Sequence, residues 1–66
     1  MTVWLNGERI ENCGASNIAE LARCYDLQPH AILIEHNGRA LRQKEWTQRP
    51  LTDGDRIEFV RVVAGG

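Results

Sequence analysis

Apolar and polar residues alternate in short runs along the chain, and Gly-containing turn dipeptides separate the runs. Thr2 to Asn6 is predicted as a strand, with Val3 and Leu5 alternating against Thr2, Trp4 and Asn6. Asn6-Gly7 is a strong hairpin signal because both residues tolerate positive φ. Glu8 to Cys13 then reads as the returning strand, with Ile10 inward. Gly14-Ala15-Ser16 breaks the pattern. Asn17 is placed to cap a helix, and Glu20 three residues later completes a capping-box-like pattern. Ile18, Leu21, Ala22 and Tyr25 fall at i, i+3, i+4 and i+7, one face of that helix. Pro29 and the residue before it disfavour helix, so it should stop near Asp26.

Ala31 to His36 reads as a third strand, Asn37-Gly38 as a second turn, and Arg39 to Leu41 as a short fourth strand. Gln43 to Arg49 is polar around Trp46 and suits an irregular or single helical turn. Asp53-Gly54-Asp55 is another tight turn. Arg56 to Val63 forms the last strand, with Ile57 and Phe59 alternating against Glu58 and Val60. The order implies an α+β domain: a mixed four- to five-stranded sheet with one helix packed on one face. Its core is expected from Val3, Leu5, Ile10, Ile18, Leu21, Ala22, Ile32, Ile34, Leu51, Ile57 and Phe59. Period-2 geometry then sends Trp4, Leu33, Val60 and Val62 to the uncovered face, with Glu35 and Glu58 among them as a polar rim. Contiguous exposed apolar surface with a Trp in it reads as a docking patch.

At 66 residues the chain is one domain at most, with room for a thin core and little room for a deep pocket. This argues against a self-sufficient enzyme. With 8 Lys+Arg against 9 Asp+Glu, and charges alternating in sign, no basic face for nucleic acid is expected. No apolar run approaches a membrane span, and the start has no basic segment or long apolar stretch of a signal peptide. The expected address is therefore cytoplasmic. Cys13 and Cys24 are not a CxxC pair and have no His at metal-ligand spacing. In a reducing compartment they are expected as two partly buried, inert thiols and not as a disulfide. His30 and His36 are the only candidates for acid–base work. Neither has a partner acid placed by spacing, so both read as structural or exposed.

The end of the chain, Ala64-Gly65-Gly66, follows the last strand with no linker. Glycine lacks Cβ, so such a stalk can thread into a narrow channel. A carboxylate is a poor electrophile until joined to AMP as a mixed anhydride, and bulky side chains near it would obstruct that chemistry.

Taken in order, Val3-Trp-Leu-Asn-Gly-Glu, Asn17-Ile-Ala-Glu-Leu, His36-Asn-Gly, Arg42 with Glu45-Trp46, Pro50-Leu-Thr-Asp-Gly-Asp-Arg-Ile-Glu and Val62-Val-Ala-Gly-Gly carry a resemblance over nearly the whole chain. The chain resembles the ubiquitin-like β-grasp superfamily and, within it, the bacterial ThiS-like sulfur carriers of thiamine biosynthesis. The resemblance implies a β-grasp domain over residues 1–63 and a flexible tail over 64–66, with the first and last strands side by side. It implies that a ubiquitin-activating-like adenylyltransferase, using its own ATP and Mg²⁺, adenylates Gly66. Sulfur from a cysteine desulfurase-type donor then replaces AMP, and the resulting thiocarboxylate feeds a thiazole synthase. Gly65 and Ala64 would enter partner sites, and Trp4, Leu33, Glu58, Val60 and Val62 would dock. The chain itself would be a co-substrate, with no cofactor, metal, nucleic acid or membrane of its own. Ala64 stands where many relatives carry a third Gly. The same features also suit a carrier for molybdopterin or another sulfur-containing metabolite. A protein modifier is disfavoured by the apolar Val62-Val63-Ala64, since modifier tails tend to be basic there. A plain interaction domain would leave the tail inert. A plant-type iron–sulfur protein is excluded because two cysteines cannot supply four ligands.

Overall fold

A computed structural model describes residues 1–61. The elements run β1 (Thr2–Leu5), β2 (Glu8–Glu11), α1 (Ile18–Cys24), a 3-10 turn (Pro29–Ala31), β3 (Ile32–His36), β4 (Arg39–Leu41), a 3-10 helix (Gln43–Gln48) and β5 (Arg56–Arg61). They form a five-stranded sheet in the order β2-β1-β5-β3-β4. β1 and β5 are parallel, and the other neighbours are antiparallel. The last strand therefore lies between the first and the third, and the first and last strands are side by side as the resemblance implies. The predicted continuation of β5 to Val63 lies outside the described residues.

Both Asn-Gly turns form as expected. Asn6 and Asn37 sit at φ 51 and 53, and the glycines after them at φ 80 and 86. That pair of left-handed residues matches the right-handed twist of the strands it joins. Each Asn also secures the central strand. Asn6 Oδ1 accepts the Phe59 N–H at 2.8 Å, and Asn37 Oδ1 accepts the Arg56 N–H at 2.8 Å. Two hairpins, one at the start and one in the middle of the chain, are thus fastened to β5, which fixes its register.

Helix α1 is only seven residues long, so packing and caps must hold it. Asn17 caps it by accepting the Glu20 N–H at 2.8 Å. Glu20 reaches one residue further back than a standard capping box, taking the Ser16 N–H at 2.7 Å and the Ser16 hydroxyl at 2.8 Å. Those bonds hold the exposed Glu20 carboxyl below its ordinary pKa, the Ser16 backbone N–H being the larger cause. At the far end, Leu27 N donates to Ala22 O at 3.0 Å and Asp26 N to Arg23 O at 3.0 Å, with Asp26 at φ 55. This is a Schellman ending with Asp where Gly is usual. It closes the helix at Cys24 and turns Tyr25 off the predicted inner face, leaving it 41% exposed. Tyr25 instead lies at the rim of the half-buried Phe59, ring centroids 6.4 Å apart.

The buried core contains Val3, Ile18, Leu21, Ala22, Ile32, Ile34, Leu51 and Ile57, with Leu5, Ile10 and Phe59 partly buried against it. Ala15, Leu41 and Trp46 join it beyond expectation. Trp46 is buried because the 3-10 helix folds under α1. That helix is started by Glu45, whose carboxylate accepts the Arg42 N–H at 2.9 Å. Two backbone bonds, Ile18 N to Arg49 O and Leu51 N to Ser16 O, both 3.0 Å, tie the helix start to the segment beyond Trp46.

The cysteines depart from expectation. Cys13 and Cys24 are joined by a disulfide with Cα atoms 6.6 Å apart, and both residues are exposed. The expectation of separate, partly buried thiols weighed compartment and spacing. It did not allow for the loop after β2 doubling back along α1 to its C-terminal end.

Candidate functional site

The side of the sheet away from α1 is uncovered. Trp4, Leu33 and Val60 lie on it, 42%, 54% and 47% exposed. Leu33 stands directly across from Val60. Trp4 lies beside Arg56 on the parallel neighbour. Glu35 faces Glu58 across the next pair with the same outward sense. Like charges directly opposite on a sheet repel, and neither carboxylate forms an ion pair among the described residues. Arg56 lies between two shallow hollows on this face. One, of about 260 Å³, is lined by Glu35, Asn37, Gly38, Arg56 and Glu58. The other, of about 310 Å³, is lined by Trp4, Gly7, Arg56, Ile57 and Glu58. The face therefore offers apolar contact at Trp4, Leu33 and Val60, with charge of both signs running between them.

β5 carries this face toward the chain end. Its pairing with β1 covers only Arg56 and Ile57, because β1 ends at Leu5 and turns away at Asn6-Gly7. Past the Asn6–Phe59 bond, no strand lies on that side of β5 among the described residues. On its other side β3 pairs with it out to Arg61, opposite Ile32. The strand leading to the tail is thus anchored on one edge and open on the other.

Under the sheet's end sits a buried polar cluster that holds the start of β5. Asp55 is 7% exposed and His36 is 5% exposed. Asp55 accepts four bonds: His36 Nε2 at 2.7 Å and Thr52 N at 2.9 Å on Oδ2, then Thr52 Oγ1 at 2.8 Å and Asn37 Nδ2 at 3.1 Å on Oδ1. Burial pushes its carboxyl up, but the bonds from His36, Thr52 and Asn37 outweigh that and hold it down at about 2. Arg49 Nη2 lies 3.3 Å from His36 Nδ1. A guanidinium only donates, so Nδ1 accepts and the Nε2–H points to Asp55. Both ring nitrogens of His36 are thereby occupied. His36 is structural as expected. Its acid partner lay 19 residues away, beyond what local spacing reveals. His30 is exposed on the 3-10 turn.

Comparison with known proteins adds to this geometry. Residues 3–66 match the ThiS family. The chain belongs to the ThiS family. The crystal structure of the thiamine biosynthesis protein ThiS from Geobacter metallireducens is 29% identical, with TM-score 0.84 over the whole of both chains. A solution structure of a thiamine biosynthesis protein from the same organism gives TM-score 0.81 at 29% identity, covering all of this chain and 88% of that one. An uncharacterized protein of Trieres chinensis, ycf40, is 26% identical over 65 residues, covering 98% of this chain and 89% of that one. The sheet order and single helix are therefore the ubiquitin-like β-grasp fold of ThiS.

Of the expected site residues, Trp4, Leu33, Glu58 and Val60 are brought together on one exposed face. Val62, Ala64, Gly65 and Gly66 lie outside the described residues, although the family match runs through them. Glu35 lies beside Glu58 as the expected polar rim, and Arg56 is the addition that pattern alone underweighted. Its outward alternation with Ile57 was the available signal. Among the described residues no helix is long and apolar enough to cross a membrane, and no group of three or more His, Cys, Asp or Glu is placed to hold a metal.

Proposed function

We propose that this ThiS-family chain is a sulfur carrier for the thiazole moiety of thiamine, with Gly66 as the attachment point. The observation that carries this reading is the family match running to Gly66, joined to a whole-chain fold likeness to proteins described as thiamine biosynthesis proteins. In this reading the Gly66 carboxylate attacks the α-phosphate of ATP on a partner adenylyltransferase. Pyrophosphate leaves and an acyl adenylate forms. The persulfide of a cysteine desulfurase-type donor displaces AMP to give an acyl disulfide with the donor cysteine. Two equivalents of a thiol reduce that S–S bond, becoming a disulfide and leaving the thiocarboxylate and the free donor cysteine. A thiazole synthase then takes the sulfur and returns the carboxylate. ATP and Mg²⁺ are the partner's substrates. The chain is a co-substrate and not a catalyst.

What this chain contributes is presentation. Trp4, Leu33 and Val60 give a partner an apolar patch, and Glu35, Arg56 and Glu58 orient it by charge. β5 is anchored by β3 and by Asn6, and the small residues Ala64, Gly65 and Gly66 follow it in the sequence. The step to test is adenylation. With the cognate adenylyltransferase, ATP and Mg²⁺, the chain should support exchange of labelled pyrophosphate into ATP, and a chain lacking Gly66 should not. Exchange that survives the deletion contradicts the proposal.

A further inference from the structure

The covalent link between Cys13 and Cys24 lies away from the docking face and plays no part in sulfur carriage as proposed above. Cys13 follows β2, and Cys24 is the last residue of α1. Both are exposed, while the segment between them is anchored by buried Ala15, Ile18, Leu21 and Ala22. Non-covalent bonds hold each end. Asn12 N donates to Met1 O at 2.8 Å, and Asn12 Nδ2 donates to Ala15 O at 2.6 Å. The Asn17 cap and the Schellman ending fix the helix. Placement of the two cysteines at 6.6 Å between Cα atoms, within bridging reach, is thus a property of packing and hydrogen bonding as well as of the bond itself. Beside them is an open hollow of about 270 Å³ lined by Cys13, Gly14, Ala15, Glu20, Arg23 and Cys24. It is wide enough to admit a small molecule, and Glu20 and Arg23 place one charge of each sign at its wall.

We propose that Cys13 and Cys24 are a reversible thiol–disulfide exchange site for low-molecular-weight disulfides. In the reduced chain, one thiolate attacks a sulfur of the reagent RSSR. The reagent's S–S bond breaks, one RS⁻ leaves, and a mixed disulfide forms. The second cysteine then attacks the protein sulfur of that mixed disulfide and expels the second RS⁻. The chain loses two electrons and two protons to become the internal disulfide, and RSSR is reduced to two RSH. A low-molecular-weight dithiol reverses the sequence. Since the fold keeps the second thiol beside the first, closure is intramolecular and outruns capture of a second reagent molecule.

The test uses the full chain, reduced with dithiothreitol, freed of reductant and confirmed folded by far-UV circular dichroism. It is then incubated with oxidised glutathione, quenched by alkylation and weighed intact. The expected product is the unalkylated monomer two hydrogens lighter, exceeding the glutathione adduct by about tenfold or more at millimolar reagent. Cys13→Ser should stop at the single glutathione adduct, and dithiothreitol should restore two alkylatable thiols in the parent chain. Accumulation of the doubly adducted chain, of disulfide-linked dimers, or of unreacted thiols would overturn the proposal. So would a reduced chain that loses its fold, since the bond would then be structural and not exchangeable.

Discussion

Replacing Asp55 by Asn tests the polar cluster that fixes the start of β5. The change keeps the shape but puts an amide –NH₂ where Oδ2 stood or, if the amide flips, where Oδ1 stood. With the amide nitrogen at the Oδ2 position, it meets two donors, His36 Nε2–H and Thr52 N–H. His36 cannot relieve the clash by shifting its proton, because Arg49 donates to Nδ1. With the flipped amide, Thr52 Oγ1 and Asn37 Nδ2 lose their acceptor instead. Two charge-assisted bonds at about 1.5–3 kcal/mol each give an expected loss of about 3–6 kcal/mol at pH 7. Part of that loss depends on pH. An ordinary Asp at 3.8 and a folded value of about 2 differ by about 2 kcal/mol of stability. Because the folded value is the lower one, this share is fully present above pH 4 and disappears as pH falls through 2. Urea unfolding of parent and Asp55→Asn, followed by far-UV circular dichroism at pH 7, 4, 3 and 2, reads both quantities. The gap between the two proteins should be widest at and above pH 4 and narrow by about 2 kcal/mol toward pH 2. A gap under about 1 kcal/mol at pH 7, or one that stays constant down to pH 2, would refute the reasoning.

Three further outcomes are expected. Asp26→Gly should raise stability by about 0.5 kcal/mol, because Asp26 sits at φ 55 in the Schellman ending where glycine is free of strain; a lowered urea midpoint would contradict this. Trp4→Glu should leave the melting temperature within a few degrees, since Trp4 is 42% exposed, yet weaken binding to the adenylyltransferase about tenfold or more in a titration; unchanged affinity would remove Trp4 from the docking face. Cys13→Ser should destabilise the oxidised chain by about 3 kcal/mol, the loop-closure value for cysteines 11 residues apart. An unchanged urea midpoint would show that packing alone holds this segment.

Much of the fold was legible because local signals agreed with the global arrangement. Period-2 runs bounded by Asn-Gly marked both hairpins, and Asn17 marked the helix start. The outward positions Trp4, Leu33, Glu58 and Val60 followed from alternation once the inward residues were assigned. What escaped depends on long-range meetings or on a competing local motif. Tyr25 had helical spacing, but the Asp26 turn ended the helix before it. Trp46 looked like one aromatic in a polar run, and only the packing of its 3-10 helix under α1 buries it. His36, Arg49 and Asp55 lie on three separate segments that carry no mutual spacing signal. The two cysteines meet because the loop at Gly14 reverses along α1, a path that composition does not encode.

The central claim is that Gly66 carries sulfur. Its most direct test is the intact mass of the chain after incubation with ATP, Mg²⁺, a cysteine desulfurase with cysteine, and the cognate adenylyltransferase. The parent should gain the mass difference between sulfur and oxygen once, mapped to the C-terminal peptide, and a chain lacking Gly66 should gain nothing. A parent chain whose mass stays unchanged, with the enzymes shown active on another ThiS-family protein, would contradict the account.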